Sequence, residues 1–177
     1  MIIIYREGLS ESQVQVQLPN EVEALNDAVK EINSEFKFNR VPSIVYMTVN
    51  KKIDSRFFTT NRGQFANPDS GSIIVESLGS QKANDFYLVP QAVTQGVATP
   101  SHFIIAYENY SSGNAPEVPN EAITQFTFEE CFNYFNWQGA VRVPACLQYA
   151  NKLSNFIGEH LGEKLNTKEL ENCAFFI

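Results

Sequence analysis

The stretch NWQGAVRVPACLQYANKL, from Asn136 to Leu153, decides how this chain folds. It begins with a polar, glycine-containing segment and passes through Val143-Pro144. After that proline the sequence continues with neither glycine nor a further proline until Gly158. This pattern predicts a last helix over about Ala145 to Leu161.

The segments upstream of this helix predict a sheet and two more helices. A stripe of apolar residues spaced three and four apart predicts a helix that begins at Glu21, with Asn20 as its N-cap. A second helix is predicted over Glu121 to Phe135, and turn-rich loops over Asn61 to Gly71 and Ser111 to Pro119. Runs of β-branched and aromatic residues predict strands at Ile2 to Tyr5, Ser43 to Val49, Ile73 to Val75, Phe86 to Val89 and Phe103 to Tyr107. This order predicts an α/β protein with a mixed sheet.

Composition limits the class of protein. At 177 residues with 44% hydrophobic content, the chain suits one globular domain. The apolar start, Met1 to Tyr5, is too short for a signal peptide or a membrane span, so no membrane partner is expected. Three cysteines cannot all pair internally, which favours reduced thiols and a cytoplasmic or nuclear location. The net charge of −7 predicts that any bound RNA is held by a local basic strip, or with help from another domain.

Four motifs in a fixed order identify a family. They are IIIYREGLSESQ at Ile2 to Gln13, NKKIDSRFF at Asn50 to Phe58, DFYLVPQAVTQGVATPSHFIIAYEN at Asp85 to Asn109, and NYFNWQGAVRVPACLQYANKLSNFIG at Asn133 to Gly158. In this order and spacing they resemble the Piwi domain of Argonaute and Piwi proteins, in the version typical of the Piwi clade. The resemblance covers nearly the whole chain, so residues 1–177 are predicted to be the C-terminal portion of a Piwi domain.

The resemblance implies a ribonuclease-H-like mixed sheet with flanking helices, here lacking its first strands. Slicing members of the family cut RNA with a carboxylate cluster and two divalent metals, normally Mg²⁺. By motif position, Glu7 stands where the family has Asp, and Asn151 stands where it commonly has His. The family's other two carboxylates would lie upstream of Met1. Glu7 is then the one expected metal ligand, and neither Mg²⁺ binding nor slicing is expected of this chain by itself.

The same resemblance implies contacts with the guide RNA backbone. By motif position the candidates are Lys51, Arg56, Gln91, Tyr134, Arg142 and Gln148, with Lys52 and Arg62 widening the strip. Lysine and arginine make charge-assisted contacts to phosphate, whereas tyrosine and glutamine donate single hydrogen bonds. The alternative for each residue is an ordinary surface charge or a satisfied core polar group. The carboxylate of Ile177 is either a further phosphate-pocket group or part of a packed C-terminal segment.

Three hypotheses about function remain open at this stage. The first is a truncated, slicer-inactive Piwi protein that binds guide and target RNA, alongside an upstream Mid/Piwi segment if one is present. The second is the slicing half of an endoribonuclease whose missing carboxylates lie in an upstream segment. The third is a gene fragment without an independent role.

Overall fold

The computed structural model describes residues 1–37, 41–75, 84–111, 113 and 115–161. It contains both strands and helices, as the sequence predicts for an α/β protein. In chain order they are β1 (Ile2–Glu7), α1 (Glu11–Phe36), β2 (Ile44–Asn50), β3 (Thr59–Asn61), β4 (Gln64–Ala66), β5 (Ser72–Ile74), β6 (Asn84–Val89), β7 (Ser101–Glu108), α2 (Asn120–Glu130) and α3 (Ala145–Phe156), which ends in a π-helical turn (Ile157–Leu161). No helix within these ranges is long and apolar enough to cross a membrane.

The main sheet is mixed, as the sequence predicts. Its five strands follow the order β1-β2-β7-β6-β5. β1 pairs with β2 in parallel, and the other neighbours pair antiparallel. β3 and β4 form a separate two-stranded hairpin. Among the described residues β1 is an edge strand, with a neighbouring strand on one side. The site described below lies at the end of the sheet where β1 ends.

Helices cover both faces of this sheet. On one face, α2 and α3 pack over a core centred on Phe103, which is fully buried and stacks on Phe86 at 5.0 Å between ring centroids. Tyr5 of β1 meets Phe103 edge-on at 6.4 Å. On the other face, Glu21 of α1 pairs with Arg6 at 3.4 Å and accepts a hydrogen bond from Tyr46. β1 and β2 therefore lie between a layer formed by α1 and a layer formed by α2 and α3.

The start of α1 differs from the prediction. The helix begins ten residues earlier than Glu21, because Ser10 and Gln13 form a capping box in which each side chain receives the other residue's backbone N–H. Pro19 therefore lies inside the helix rather than before it. Asn20 is a helical residue and not a cap, so the prediction of Asn20 as N-cap was wrong. The apolar stripe and Asn20 had predicted a start at Glu21, whereas the capping box begins the helix at Glu11.

Pro19 should limit the stability of α1, because proline has no N–H to donate to the preceding turn and its ring crowds the carbonyl four residues back. We expect Pro19→Ala to raise the free energy of unfolding by about 1–3 kcal/mol, measured as the midpoint of urea denaturation. Pro116→Ala, in the loop before α2, is the control and should bring no such gain. An unchanged or lower midpoint for Pro19→Ala would contradict this assignment.

Two further predictions of the sequence were wrong in detail. The predicted loop over Asn61 to Gly71 contains most of the β3–β4 hairpin, whose two-residue turn, Arg62-Gly63, has positive φ angles of 51° and 80°. Strands of three residues are too short to show an alternating pattern. The predicted helix to Phe135 ends at Glu130. The apolar residues beyond it belong to a loop that the Val141 N–H closes by donating to the Cys131 carbonyl at 2.8 Å.

Candidate nucleic-acid interface

Glu7 lies at the end of β1, on the sheet face covered by α3. It is paired in parallel register with Val49, and Lys51 follows two residues further along the neighbouring chain segment. Residues two apart in an extended chain project to the same face, so Lys51 reaches Glu7. The Lys51 Nζ to Glu7 Oε1 distance is 2.7 Å, and the two side chains are 30% and 19% exposed. The Glu7 carboxylate is thus already paired with a cation.

Asn151 of α3 completes this arrangement. Its Nδ2 donates to Glu7 Oε2 at 2.7 Å, across 144 residues of sequence. Both oxygens of Glu7 therefore accept from a side chain of the protein itself. Glu7, Lys51 and Asn151 line one cleft of about 340 Å³, which we name the Glu7 cleft. Within the described ranges, no three His, Cys, Asp or Glu side chains come together as a metal-binding group.

A second cleft of about 430 Å³ adjoins the first. We name it the basic cleft, and it is lined by Lys51, Lys52, Gln91, Trp137, Val141, Arg142 and Gln148. Lys51 and Lys52 belong to both clefts. The described lining contains three cationic side chains and no carboxylate, on a chain whose net charge is −7. This cleft is a local positive strip on an acidic protein.

Arg142 is the most firmly held cation of the basic cleft. Its Nη2 donates to the Lys51 carbonyl at 2.9 Å and to the Pro100 carbonyl at 3.4 Å, while its own carbonyl accepts from Ser101 Oγ at 2.7 Å. Its Nε is buried and has no acceptor among the described residues. Burial, followed by repulsion from Arg56, lowers the pKa of Arg142 from its ordinary value, and Glu7 opposes that effect. Arginine remains charged at physiological pH under such a shift.

Two amides line the basic cleft beside these cations. Gln91 follows β6, and its Nε2 donates to the Ala140 carbonyl at 3.0 Å, which fixes its side chain against the loop after α2. Gln148 is on α3, one helical turn before Asn151, so the two residues share a side of the helix. Gln148 accordingly lines the basic cleft while Asn151 lines the Glu7 cleft.

The structure does not bring all the predicted RNA contacts into this cleft. Arg56 and Tyr134 are not among the described residues that line it. The Arg56 guanidinium donates to the carbonyls of Ile53 and Ser55 at 2.8 and 2.7 Å, within its own exposed loop. The Tyr134 ring packs against the Tyr149 ring at 4.9 Å. Arg62 is exposed in the β3–β4 turn, and Ile177 lies outside the described residues.

No role was predicted for Trp137 from the sequence, although it lies in the stretch from Asn136 to Leu153. The structure places it in the wall of the basic cleft with 62% of its surface exposed. A tryptophan in a polar, glycine-containing segment was the available signal, because such a segment is expected to be a surface loop. The pairing of Lys51 with Glu7 was also missed, because it depends on the register between β1 and β2.

The fold and the site together define the class of protein. The mixed sheet with helices on both faces superposes on the structure of Kluyveromyces polysporus Argonaute with a guide RNA, with a TM-score of 0.69 and 19% identity, over 86% of this chain and 19% of that one. At that identity the match establishes the fold, which is the ribonuclease-H-like fold of the Argonaute C-terminal lobe.

Closer matches identify the family. The crystal structure of Drosophila Piwi superposes with a TM-score of 0.77 and 29% identity, over 99% of this chain and 23% of that one. Piwi-like protein 1 of Danio rerio is 33% identical over 176 residues, which are 99% of this chain and 19% of the relative. The family model for the Piwi domain matches residues 1–162. The chain therefore belongs to the Piwi domain family, and it spans about a fifth of the length of the curated relatives it matches.

Proposed function

We propose that this chain binds the sugar–phosphate backbone of a guide RNA in the basic cleft and does not by itself cut RNA. One observation carries the proposal: Lys51, Lys52 and Arg142 converge in a cleft that has no carboxylate in its described lining. In a chain with seven excess negative charges, such a strip is the place where a polyanion meets the least repulsion.

The chemistry of the lining suits phosphate. Ammonium and guanidinium groups make charge-assisted hydrogen bonds to phosphate oxygens, and Arg142 is held in place by two backbone carbonyls before any ligand arrives. Gln91 and Gln148 supply neutral amide groups that position a backbone without reading bases. The Kluyveromyces polysporus Argonaute that shares this fold was solved with a guide RNA, which supports guide RNA as the ligand.

The geometry of the Glu7 cleft supports the proposal that this chain does not cut RNA by itself. A pair of divalent metals needs several oxygen ligands that converge, because Mg²⁺ prefers octahedral oxygen coordination. This chain offers Glu7, both of whose oxygens accept from Lys51 and Asn151. Among the residues that the structure describes, no further carboxylates join Glu7 to form a two-metal site. Asn151 also lacks the ability of a histidine to take up a proton near neutral pH.

The second candidate function is the slicing half of an endoribonuclease whose other carboxylates come from an upstream segment. The geometry that favours it is the position of Glu7, at the mouth of a cleft beside the edge strand β1. The chain also covers only about a fifth of its relatives, so a longer parent protein has room for those ligands. In such a parent, Lys51 and Asn151 would have to release Glu7 before a metal could bind.

The proposal is tested by removing two cations together. We expect Lys51→Ala with Lys52→Ala to weaken the binding of single-stranded RNA alike for all sequences, because both side chains line the basic cleft and their contacts are made to phosphate. The logarithm of the affinity should also depend less steeply on the logarithm of the salt concentration, by up to about two units of slope. Both quantities come from fluorescence anisotropy of labelled oligonucleotides at several salt concentrations.

The matched control removes two positive charges from the opposite face of the sheet. Lys30→Ala with Lys37→Gly changes the net charge equally, and glycine suits the left-handed φ of 50° at position 37. This control should bind RNA as the unaltered chain does.

A loss confined to particular RNA sequences would count against phosphate binding. Cleavage of a matched target at one site by the chain with a guide and Mg²⁺ or Mn²⁺ would overturn the absence of slicing. A chain that folds but binds no RNA would favour a fragment without an independent role.

A further inference from the structure

The loop after α2 presents aromatic side chains to solvent beside the basic cleft. We define the 131–141 loop by its closure, in which the Val141 N–H donates to the Cys131 carbonyl at 2.8 Å. Within it Trp137 is 62% exposed and Phe135 is 90% exposed. Exposing two large rings from one short loop forgoes the burial that normally stabilises them. Large side chains that are exposed in this way indicate a site for a ligand rather than a contribution to the core.

Hydrogen bonds, two of them to side chains outside the loop, hold the backbone of the 131–141 loop in place. The Phe135 N–H donates to Tyr149 Oη at 2.8 Å, and the Trp137 N–H donates to the Tyr134 carbonyl at 3.2 Å. Gln91 fixes the far end of the loop through the Ala140 carbonyl at 3.0 Å. These bonds fix the backbone that carries Trp137, so less conformational freedom is lost when a ligand packs on its ring.

Trp137 separates two clefts of different chemistry. On one side is the basic cleft. On the other is a cleft of about 540 Å³, which we name the uncharged cleft because no Lys, Arg, Asp or Glu occurs in its described lining. Its lining consists of Ser70, Pro90, Gln91, Ala92, Val93, Thr94, Gln95, Phe132, Trp137, Gln138, Gly139 and Ala140. Gln91 and Trp137 form a wall common to both clefts.

We propose that the uncharged cleft receives a nucleobase of single-stranded RNA, stacked on Trp137, while the neighbouring phosphates lie in the basic cleft. This inference rests on the proposed function, since it places the base of the same strand whose backbone the cations bind. A nucleotide joins a charged phosphate to an uncharged, flat base through one sugar. Its two parts therefore need adjacent sites, one cationic and one apolar with amide hydrogen-bonding groups, and these two clefts meet at a shared wall.

Aromatic stacking binds bases of any identity, because every base has a flat π-face. The amides of Gln95 and Gln138 and the hydroxyl of Thr94 can donate to or accept from base edges without a net charge. A protein ligand would be expected to use the exposed rings without involving the basic cleft. The continuity of the two clefts at Trp137 favours a nucleotide strand.

Trp137 is the chain's only tryptophan, so its fluorescence reports on this site alone. The test compares a single-stranded RNA with an abasic ribose-phosphate oligonucleotide of the same length and charge. We expect the RNA to quench the tryptophan fluorescence and to bind roughly tenfold more tightly than the abasic strand. Trp137→Ala should abolish this preference, so that the RNA binds no more tightly than the abasic strand. Trp137→Phe should restore most of the preference, because it keeps an aromatic face.

Phe36→Ala is the matched control, since it removes an aromatic ring that is 63% exposed at the end of α1, on the opposite face of the sheet. It should leave the preference for base-bearing RNA intact. If both strands bind with equal affinity, or if Trp137→Ala keeps the preference, base stacking is overturned and phosphate binding stands. If neither strand binds, phosphate binding fails and the stacking proposal fails with it. Unquenched fluorescence in an RNA-saturated chain also overturns stacking on Trp137.

Discussion

Arg142→Ala is expected to weaken the binding of single-stranded RNA by roughly 10- to 100-fold, the largest loss for any single charge in the basic cleft. The reason is geometric. The guanidinium is anchored by the carbonyls of Lys51 and Pro100, so it binds phosphate without the entropy loss of ordering a free side chain. The measurement is a titration of labelled RNA at fixed salt, repeated at several salt concentrations. The salt slope should fall by about one unit.

Arg142 also joins three segments of the chain, so its loss could act through the fold. Ser101→Ala controls for this, because it breaks the 2.7 Å hydrogen bond to the Arg142 carbonyl and leaves every charge in place. We expect Ser101→Ala to bind RNA with nearly normal affinity. If it binds as weakly as Arg142→Ala, then Arg142 shapes the cleft rather than contacting phosphate. Arg142→Lys should keep the salt slope and lose part of the affinity, because lysine lacks the planar fork.

Phe103→Ala is expected to lower the free energy of unfolding by about 3–5 kcal/mol, a large share of the stability of an ordinary domain. Phe103 is fully buried between Phe86, stacked at 5.0 Å, and Tyr5, edge-on at 6.4 Å. Removing the ring leaves a cavity that helices on both faces of the sheet keep from collapsing. The measurement is urea denaturation followed by far-ultraviolet circular dichroism, which reports the whole fold.

Phe65→Ala serves as the comparison for Phe103→Ala. Phe65 is 77% exposed on the β3–β4 hairpin and contacts Phe58 edge-on at 6.3 Å. Its loss should change the free energy of unfolding by less than about 1 kcal/mol. If both variants lose equal stability, or if Phe103→Ala loses less than about 1 kcal/mol, the core is not organised around Phe103.

The class of fold could be predicted from the sequence because its strongest signals are local. The run from Ser43 to Val49 alternates two buried faces and appears as β2 almost unchanged. The helix after Pro144 begins where the sequence places it. The early start of α1 was missed because the capping box at Ser10 competes with Pro19, and local pattern alone does not show which one prevails.

The sequence identified individual residues of the candidate site, but not which of them contact one another. Glu7 and Asn151 were both named from the motifs, yet the 2.7 Å contact between them spans 144 residues. The Arg142 contact with the Lys51 carbonyl likewise spans 91 residues. Such contacts depend on strand register and on how α3 packs on the sheet, and neither is visible in a motif. The motifs also drew Arg56 and Tyr134 into the binding set, although neither lines the cleft that holds the others.

In the ion pair between Glu7 and Lys51, the Glu7 carboxylate takes the place of a small anion as the counterion of Lys51. When an unpaired lysine neutralises an RNA phosphate, small cations held around the RNA are released, and that release drives binding at low salt. Lys51 is already neutralised by Glu7 at 2.7 Å, so phosphate must exchange with a tethered carboxylate instead. The displaced carboxylate attracts a cation in turn, so few small ions are released on balance. Lys52, which lines the same cleft and makes no ion pair with the described residues, should therefore contribute more to the salt dependence of RNA binding than Lys51 does.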